Sequence, residues 1–463
     1  MTDVTYRDEQ DSMGLVRVPE EAYYGAQTER ARGNFQISDL RLPRSFYKAL
    51  GLIKKHAARV NLDLGLLEHD SADAMIQACE EVISGRLDDQ FVVDVFQTGS
   101  GTSTNMNTNE VIAGRANEIM TGKRGGKSPV HPNDHVNKGQ SSNDVIPSAI
   151  HISTLMELRE DLLPAMKTLQ TALGEKAEEF KEVRKIARTH LQDAVPISLG
   201  QIFSGYTRQV ELNIDRIAGL ENNLGELALG GTAVGTGVNT HSEFAEKVIK
   251  GIAEETGCPF REAENHFEAQ AARDTAVETS GALKTYAVSL IKIANDIRFL
   301  SSGPRCGLGE IVIPDMQPGS SIMPGKVNPV IPEAVIQAAG QVIGNDAAIS
   351  FGGQAGNFEL NVMLPLIAYN LLQSVQILSS SSTHLAEKCV TGILADHDKC
   401  TSSLEKSLSL VTAFVPEVGY DQSAALAKEA YKTGKTVREV AKENKILPDD
   451  KIDEILDRMI NGK

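Results

Sequence analysis

Apolar residues recur at steps of three and four along four long stretches of the chain. Leu283, Tyr286, Leu290, Ile293, Ile297 and Leu300 form one of them, with polar residues between. That is the pattern of a helix burying one stripe against its neighbours. It stops at Ser301-Ser302-Gly303-Pro304, which supplies the glycine and proline expected after a helix C-terminus. A second stretch runs Leu155, Leu158, Leu162, Met166, Leu169 and Leu173, entered at Pro147 and kinked by Pro164. Two more follow Val210, Ile214, Ile217, Leu220, Leu224, Leu227 and Leu360, Leu364, Ile367, Leu371, Val375, Leu378. A shorter helix is predicted across Glu333 to Asn345. Loops rich in Gly, Ser, Thr and Asn separate these helices at 97 to 109, 131 to 144, 230 to 240 and 317 to 329. No strand-helix alternation suggests a parallel sheet, so the predicted class is all-α.

Before about residue 140 the pattern is shorter and more mixed, and after about 396 a charged helical tail is broken by Pro416, Gly419 and Pro448. The expected organisation is therefore three domains, 1 to 140, 141 to 395 and 396 to 463, the middle one longest. Composition adds that the protein is globular, with 41% hydrophobic and 23% charged residues. No apolar run approaches bilayer length. The opening MTDVTYRDEQDSMG has acids and no apolar stretch, unlike a secretory or transit segment, so a cytoplasmic location is expected. Cys79, Cys258, Cys306, Cys389 and Cys400 are scattered and form no C-x-x-C pair. They read as packing thiols rather than as a disulfide framework or zinc site. A formal charge of -16 disfavours nucleic acid and anionic membrane as partners. It leaves room for a small anionic substrate, because distant charge is screened beyond about 8 Å.

Four segments could carry chemistry. Gly319-Ser320-Ser321-Ile322-Met323-Pro324-Gly325-Lys326-Val327-Asn328-Pro329 joins two hydroxyls, a cation and an amide in a loop between helices. Its glycines allow backbone N–H groups to converge on an anion, and a helix beginning near Pro329 adds the positive end of its dipole. A polar connection is the commoner use of such a loop, yet a connection needs no Lys-x-Asn beside paired serines. Thr98-Gly99-Ser100-Gly101-Thr102-Ser103-Thr104-Asn105 offers uncharged donors suited to carboxylate oxygens, or simply a glycine-rich turn. It matches neither of the glycine-rich nucleotide-phosphate patterns. His131-Pro132-Asn133-Asp134-His135-Val136-Asn137 and then Gln140-Ser141-Ser142-Asn143-Asp144 are likewise rich in donors. The two histidines lack a spaced ligand pair on a helix face, so no metal is assigned. Last, Arg188-Thr189-His190-Leu191-Gln192-Asp193 sets a histidine in a polar turn predicted to lie between helices, where a lone histidine is more often structural than catalytic.

Together these segments resemble the fumarase/aspartase superfamily, from Asp11-Ser12-Met13-Gly14 to the terminal helical segment, with the GSSIMPGKVNP loop the most specific part. Within it, Thr98-Gly99-Ser100-Gly101, Val130-His131-Pro132-Asn133-Asp134 and Gly356-Asn357-Phe358-Glu359-Leu360-Asn361 look like the class II fumarases. Ala22-Tyr23-Tyr24-Gly25, Asn105-Met106-Asn107-Thr108-Asn109-Glu110 and Val327-Asn328-Pro329-Val330-Ile331-Pro332-Glu333 are shared or lean the other way. They keep aspartase, which releases ammonia instead of water, as the alternative.

The resemblance implies a cofactor-free lyase that interconverts fumarate and (S)-malate, as in the tricarboxylic acid cycle. It implies Ser320 as the base, acting as an alkoxide through an aci-carboxylate intermediate. His190 with Glu333 would protonate the leaving hydroxyl through water. Lys326 and Asn328 would hold the reacting carboxylate. Ser100, Thr102, Ser141, Ser142, Asn143, Thr189 and Ser321 would orient the dicarboxylate, with backbone help from Gly101 and Val327. His131, Pro132, Asn133 and Asp134 match a secondary anion site. The implied assembly is a homotetramer whose five long helices per subunit pack into a twenty-helix core, each active site drawing on three subunits.

Overall fold

The computed structural model describes residues 5 to 461. The chain begins with a hairpin of β1 (Tyr6–Asp11) and β2 (Gly14–Pro19). Five helices follow: α1 (Ala26–Asn34), α2 (Arg44–Asp63), α3 (His69–Ser84), α4 (Thr102–Thr121) and α5 (Ser142–Glu157). A π-helical turn over Leu158–Leu162 leads into α6 (Leu163–Glu179). The hairpin β3 (Arg184–Thr189) and β4 (Gln192–Ser198) precedes α7 (Leu199–Ala218), α8 (Glu221–Leu224) and β5 (Glu226–Leu227). Then come α9 (Phe244–Thr256), β6 (Arg261–Glu262), α10 (His266–Ala271) and the 27-residue α11 (Asp274–Leu300). Beyond β7 (Ile311–Val312) lie α12 (Val330–Gly353), the short pair β8 (Gly356–Asn357) and β9 (Leu360–Asn361), and α13 (Leu364–Lys388). After β10 (Leu394–Ala395) the chain closes with α14 (His397–Lys406), α15 (Val415–Val418), α16 (Tyr420–Thr433), α17 (Val437–Glu443) and α18 (Asp449–Asn461). Every sheet among the described residues has two strands, so the all-α class holds.

Several predicted boundaries move, each for a local reason. The helix expected to enter at Pro147 starts at Ser142, because Ser141 and Asp144 form a capping box ahead of it. Pro147 then sits inside the helix with no N–H for the Asn143 carbonyl. The predicted kink is the widened turn at Leu158–Leu162, placed where Pro164 can donate nothing. The short helix expected over Glu333 to Asn345 is instead the 24-residue α12. Leu360 lies in β9, ahead of α13, and α7 stops at Ala218, short of Leu220, Leu224 and Leu227. The turn holding His190 joins two strands and no helices. Residues before 140, expected to be short and mixed, include the long helices α2, α3 and α4.

The chain divides into two compact units. The first comprises residues 1 to 164, 215 to 287 and 339 to 379. In it α2 lies against α3, α5 and α9, with Phe46, Leu50, Ile53, Met75 and Ile150 fully buried. The second comprises residues 165 to 214, 288 to 338 and 380 to 463. Its tail has a core of its own, Leu410, Phe414, Leu426, Val440, Ile452 and Leu456. Burying such side chains stabilises by about 1.5–3 kcal/mol each. The predicted seam from Leu283 to Ile297 is completely buried, and Leu300 nearly so. Cys79, Cys258, Cys389 and Cys400 are buried packing thiols, whereas Cys306 is exposed.

Candidate active site

Two groups of predicted residues take shape, one in each unit. In the first unit the segment 98 to 105 and the segment 131 to 144 meet. Ser100 Oγ and Thr102 Oγ1 lie 2.8 Å apart at the start of α4. The N–H of Gly101, expected to face substrate, donates to the Thr98 carbonyl at 2.9 Å. Gly99 is pinned to the chain before α13: its carbonyl accepts from Leu364 N–H at 2.9 Å. A Cβ there would fall 1.7 Å from the Val362 carbonyl oxygen, so no other residue fits without moving the backbone. Ser141 caps α5, accepting from Asn143 N–H, while Asn143 Nδ2 donates to the Ala233 carbonyl at 2.8 Å. Ser142 Oγ accepts from Asn105 Nδ2 at 3.2 Å, which ties α4 to the N-terminus of α5.

Beneath these donors lies a buried polar layer. Asp144 is completely buried and accepts N–H groups of Ser141, Gly230 and Thr232. Burial pushes its carboxyl up to about 6, against those three hydrogen bonds. Burial likewise pulls Lys54 down to about 7.

The segment 131 to 137 forms a π-helical turn over Pro132–Val136. His131 caps it with its own ring, Nδ1 accepting from Asn133 N–H and Asp134 N–H at 3.2 Å each. The backbone donors that an anion would seek there are engaged by that imidazole. His135 Nδ1 accepts from His131 N–H, and burial lowers the His135 pKa.

In the second unit, the loop 319 to 328 is closed on itself. Gly319 N–H donates to the Lys326 carbonyl at 2.7 Å, and Asn328 Nδ2 donates to the Gly319 carbonyl at 2.6 Å. Inside this closure Ser320 Oγ accepts two backbone donors, Ile322 N–H at 3.2 Å and Met323 N–H at 3.1 Å. Two donors converging on one hydroxyl oxygen favour a negative charge on that oxygen. Ser321 is exposed, whereas Ser320 is half-buried. Lys326, Val327, Asn328 and Glu333 line a cleft of about 350 Å³ together with Arg298, Ser301, Ser302 and Pro329. Glu333 stands in the first turn of α12 with Oε1 4.0 Å from Arg298 Nη2. Among the described residues it makes no hydrogen bond to His190.

Thr189 and His190 occupy the tip of the β3–β4 hairpin, with Thr189 paired to Gln192. His190 and Leu191 have φ of 56° and 59°, the left-handed backbone of a two-residue type I′ turn, here without glycine. Non-glycine residues in that region cost on the order of 1 kcal/mol or more each, a strain often found at functional sites. The hairpin is anchored along β3: Glu310, fully buried, receives Arg188 Nη1 at 2.9 Å and lies 3.1 Å from Lys185 Nζ.

The description "Lyase" matches residues 14–344, and "Fumarase C C-terminus" matches residues 410–459. The chain is 55% identical over 452 residues to the class II fumarate hydratase of Halobacterium salinarum, covering 98% of this chain and 96% of that one. It is 52% identical to the class II fumarate hydratase of Neisseria meningitidis serogroup A, covering 97% of both chains. It superposes on the crystal structure of class II fumarase from Schistosoma mansoni with a TM-score of 0.95, at 42% identity and 98% coverage of both. The chain belongs to the class II fumarate hydratases. They are lyases, and the fold expected from the resemblance is the one observed. For such a lyase the sequence reading overlooked Arg298, which adds a second cation to the Lys326 cleft. Its signal was a cation in the last turn of α11, three residues before Ser301. A larger cleft of about 680 Å³, lined by Arg32, Asp39, Arg41, Asp88 and Asp89 among others, contains none of the predicted residues.

Proposed function

We propose that the chain catalyses the reversible hydration of fumarate to (S)-malate with Ser320 as the base. The observation that carries this reading is the pair of backbone N–H groups on Ser320 Oγ. An ordinary hydroxyl holds its proton far above neutral pH. Two amides lower the cost of the alkoxide, and in this reading the Lys326 ammonium and the dipole of the 24-residue α12 lower it further once water is excluded.

In the elimination direction the Ser320 alkoxide takes the C3 proton of malate. The C–H electron pair passes into the adjacent carboxylate, giving the dianionic aci-carboxylate held by Lys326 and Asn328. That carboxylate gains charge in the transition state, so binding it there is differential. The C2–O bond then breaks, and the hydroxide leaves as water after protonation through His190, supported by Glu333. Ser100, Thr102, Ser141, Ser142, Asn143, Thr189 and Ser321, with the backbone at Gly101 and Val327, orient the substrate. A secondary anion site at His131, Pro132, Asn133 and Asp134 would require the His131 ring to leave its own turn.

We propose further that a homotetramer joins these groups, each site taking residues from three subunits. Val288, Phe299, Ile343 and Phe351 support this, since they leave large apolar side chains 38 to 56% exposed on α11 and α12. A twenty-helix core would cover them, with the segment 141 to 395 supplying the bundle and 1 to 140 and 396 to 463 flanking it. A cytoplasmic location belongs to the same reading; no helix among the described residues is long and apolar enough to cross a membrane.

The test is to supply fumarate with and without ammonium and identify the product. Malate formed without ammonium is expected; aspartate formed only with ammonium would overturn the reading. Activity of an isolated monomer would overturn the assembly.

A further inference from the structure

The donors of the first unit that face a dicarboxylate in the proposed reaction are all neutral: Ser100, Thr102, Ser141, Ser142 and Asn143. A dianion held on one side by hydroxyls and amides alone gives up its hydration with no charge in return. The structure places a buried amine behind them. Lys54 of α2 is 0% exposed. Its Nζ donates to Asn137 Oδ1 at 2.9 Å, the one acceptor it meets among the described residues. Asn137 Oδ1 also accepts from Asn105 Nδ2 and Asn109 Nδ2 at 3.2 Å each, and Asn105 Nδ2 reaches Ser142 Oγ at 3.2 Å. Lys54 thus stands three hydrogen bonds behind Ser142, through Asn137 and Asn105. Asn137 Nδ2 holds the Gln140 carbonyl at 3.1 Å, just before the Ser141 cap.

Resting on the reading of Ser142 as a carboxylate donor, we propose that Lys54 is a positioning residue. It backs the neutral donor cluster and takes up a proton when a dicarboxylate binds. An ammonium with one acceptor is poorly satisfied in the free protein, where burial makes the charged form costly. A bound dianion stabilises that charged form through the amide relay. The groups around Lys54 fit this role. Asp144 on α5 and Cys79 on α3 both favour its protonation, and Cys79 is itself a buried thiol. α4 presents the uncharged Asn105 and Asn109. On α9, Glu255 is engaged by Lys55 and His56, at 2.9 and 2.8 Å. In the turn over Pro132–Val136, the His135 ring accepts from its own backbone neighbour His131.

The experiment measures succinate binding to the intact enzyme by calorimetry at about pH 7.5 in buffers of different ionisation enthalpy, which yields protons taken up per site. The wild type and a His190→Asn variant are both expected to take up protons, so the exposed histidine is not their source. Lys54→Met should lose the uptake, bind succinate more than tenfold more weakly near neutral pH, and flatten the decline in affinity as pH rises through about 7. Uptake that disappears in His190→Asn, or that survives in Lys54→Met, overturns the proposal. If Lys54→Met does not fold, the wild-type and His190→Asn measurements still decide it, because no uptake in either refutes it. Wild-type enzyme without fumarate hydration would instead reject the underlying reading.

Discussion

Asn328 Nδ2 donates to the carbonyl of Gly319 at 2.6 Å, and the Gly319 N–H returns to the Lys326 carbonyl at 2.7 Å. Together they shape the loop that presents Ser320 to two amides. A side chain at 319 has no room: its Cβ would lie 2.5 Å from the Lys326 oxygen and 2.8 Å from the Asn328 nitrogen. Gly319→Ala should open the closure and displace the amides from Ser320 Oγ. Losing such preorganised donors lowers kcat by about 100-fold or more. The loop is exposed, so Tm should shift by no more than a degree or two. A kcat within threefold of wild type would show that the closure is dispensable.

Replacing the proposed base separates chemistry from binding. Ser320→Ala keeps the loop backbone but removes the oxygen that accepts Ile322 and Met323 N–H. Malate formation should become undetectable in a coupled assay, while succinate binds within a fewfold of wild type. Hydration at the wild-type rate would remove Ser320 from its role.

The long seams were legible because large apolar residues at helical spacing have no other economical use; Leu283, Tyr286, Leu290, Ile293 and Ile297 are all fully buried. α12 was read too short because its last two turns, Ala347-Ala348-Ile349-Ser350-Phe351-Gly352-Gly353, keep no clear apolar stripe. α4 escaped for the opposite reason. Asn105, Asn107, Thr108, Asn109 and Glu110 are polar yet buried, which a one-stripe pattern excludes. They are tolerated because partners distant in sequence satisfy them, as when Glu110 accepts N–H groups of Gly25, Gln27 and Thr28. The same long-range bonding hid Lys54. The residues of the 319 to 328 loop were found at once, since their chemistry is local, whereas the hairpin under His190 has strands only six and seven residues long.

Glu310 offers a test of that hairpin. Its buried carboxylate lies between Lys185 and Arg188, and its own N–H donates to the Leu300 carbonyl at 2.8 Å. Glu310→Ala would leave two cations facing each other, one of them fully buried, a change that costs about 3–5 kcal/mol. The urea midpoint should fall accordingly, and kcat should fall with it as Thr189 and His190 lose their support. An unchanged midpoint would mean that the pair contributes nothing to the fold.

Glu157, at the C-terminal end of α5, gives a prediction in which pH decides the sign. It is buried; Oε1 accepts from Gln376 Nε2 at 2.9 Å, and hydrogen bonding from Ser45 and Gln376 only partly offsets that burial. Burial raises its carboxyl to about 6 from an ordinary 4.5. A carboxyl raised in the folded state is favoured neutral there. Its stabilising contribution is therefore complete below about 4.5 and lost as pH climbs through about 6. That difference corresponds to about 2 kcal/mol at most. Glu157→Gln keeps an acceptor for Gln376 and never carries the charge. Its Tm should exceed that of the wild type at about pH 7.5 by a few degrees, and the gap should close at about pH 4, where both side chains are neutral. A gap of equal size at both pH values would trace the effect to packing instead, and a lower Tm at pH 7.5 would mean that the hydrogen bonds from Ser45 and Gln376 outweigh the burial and hold the carboxylate charged.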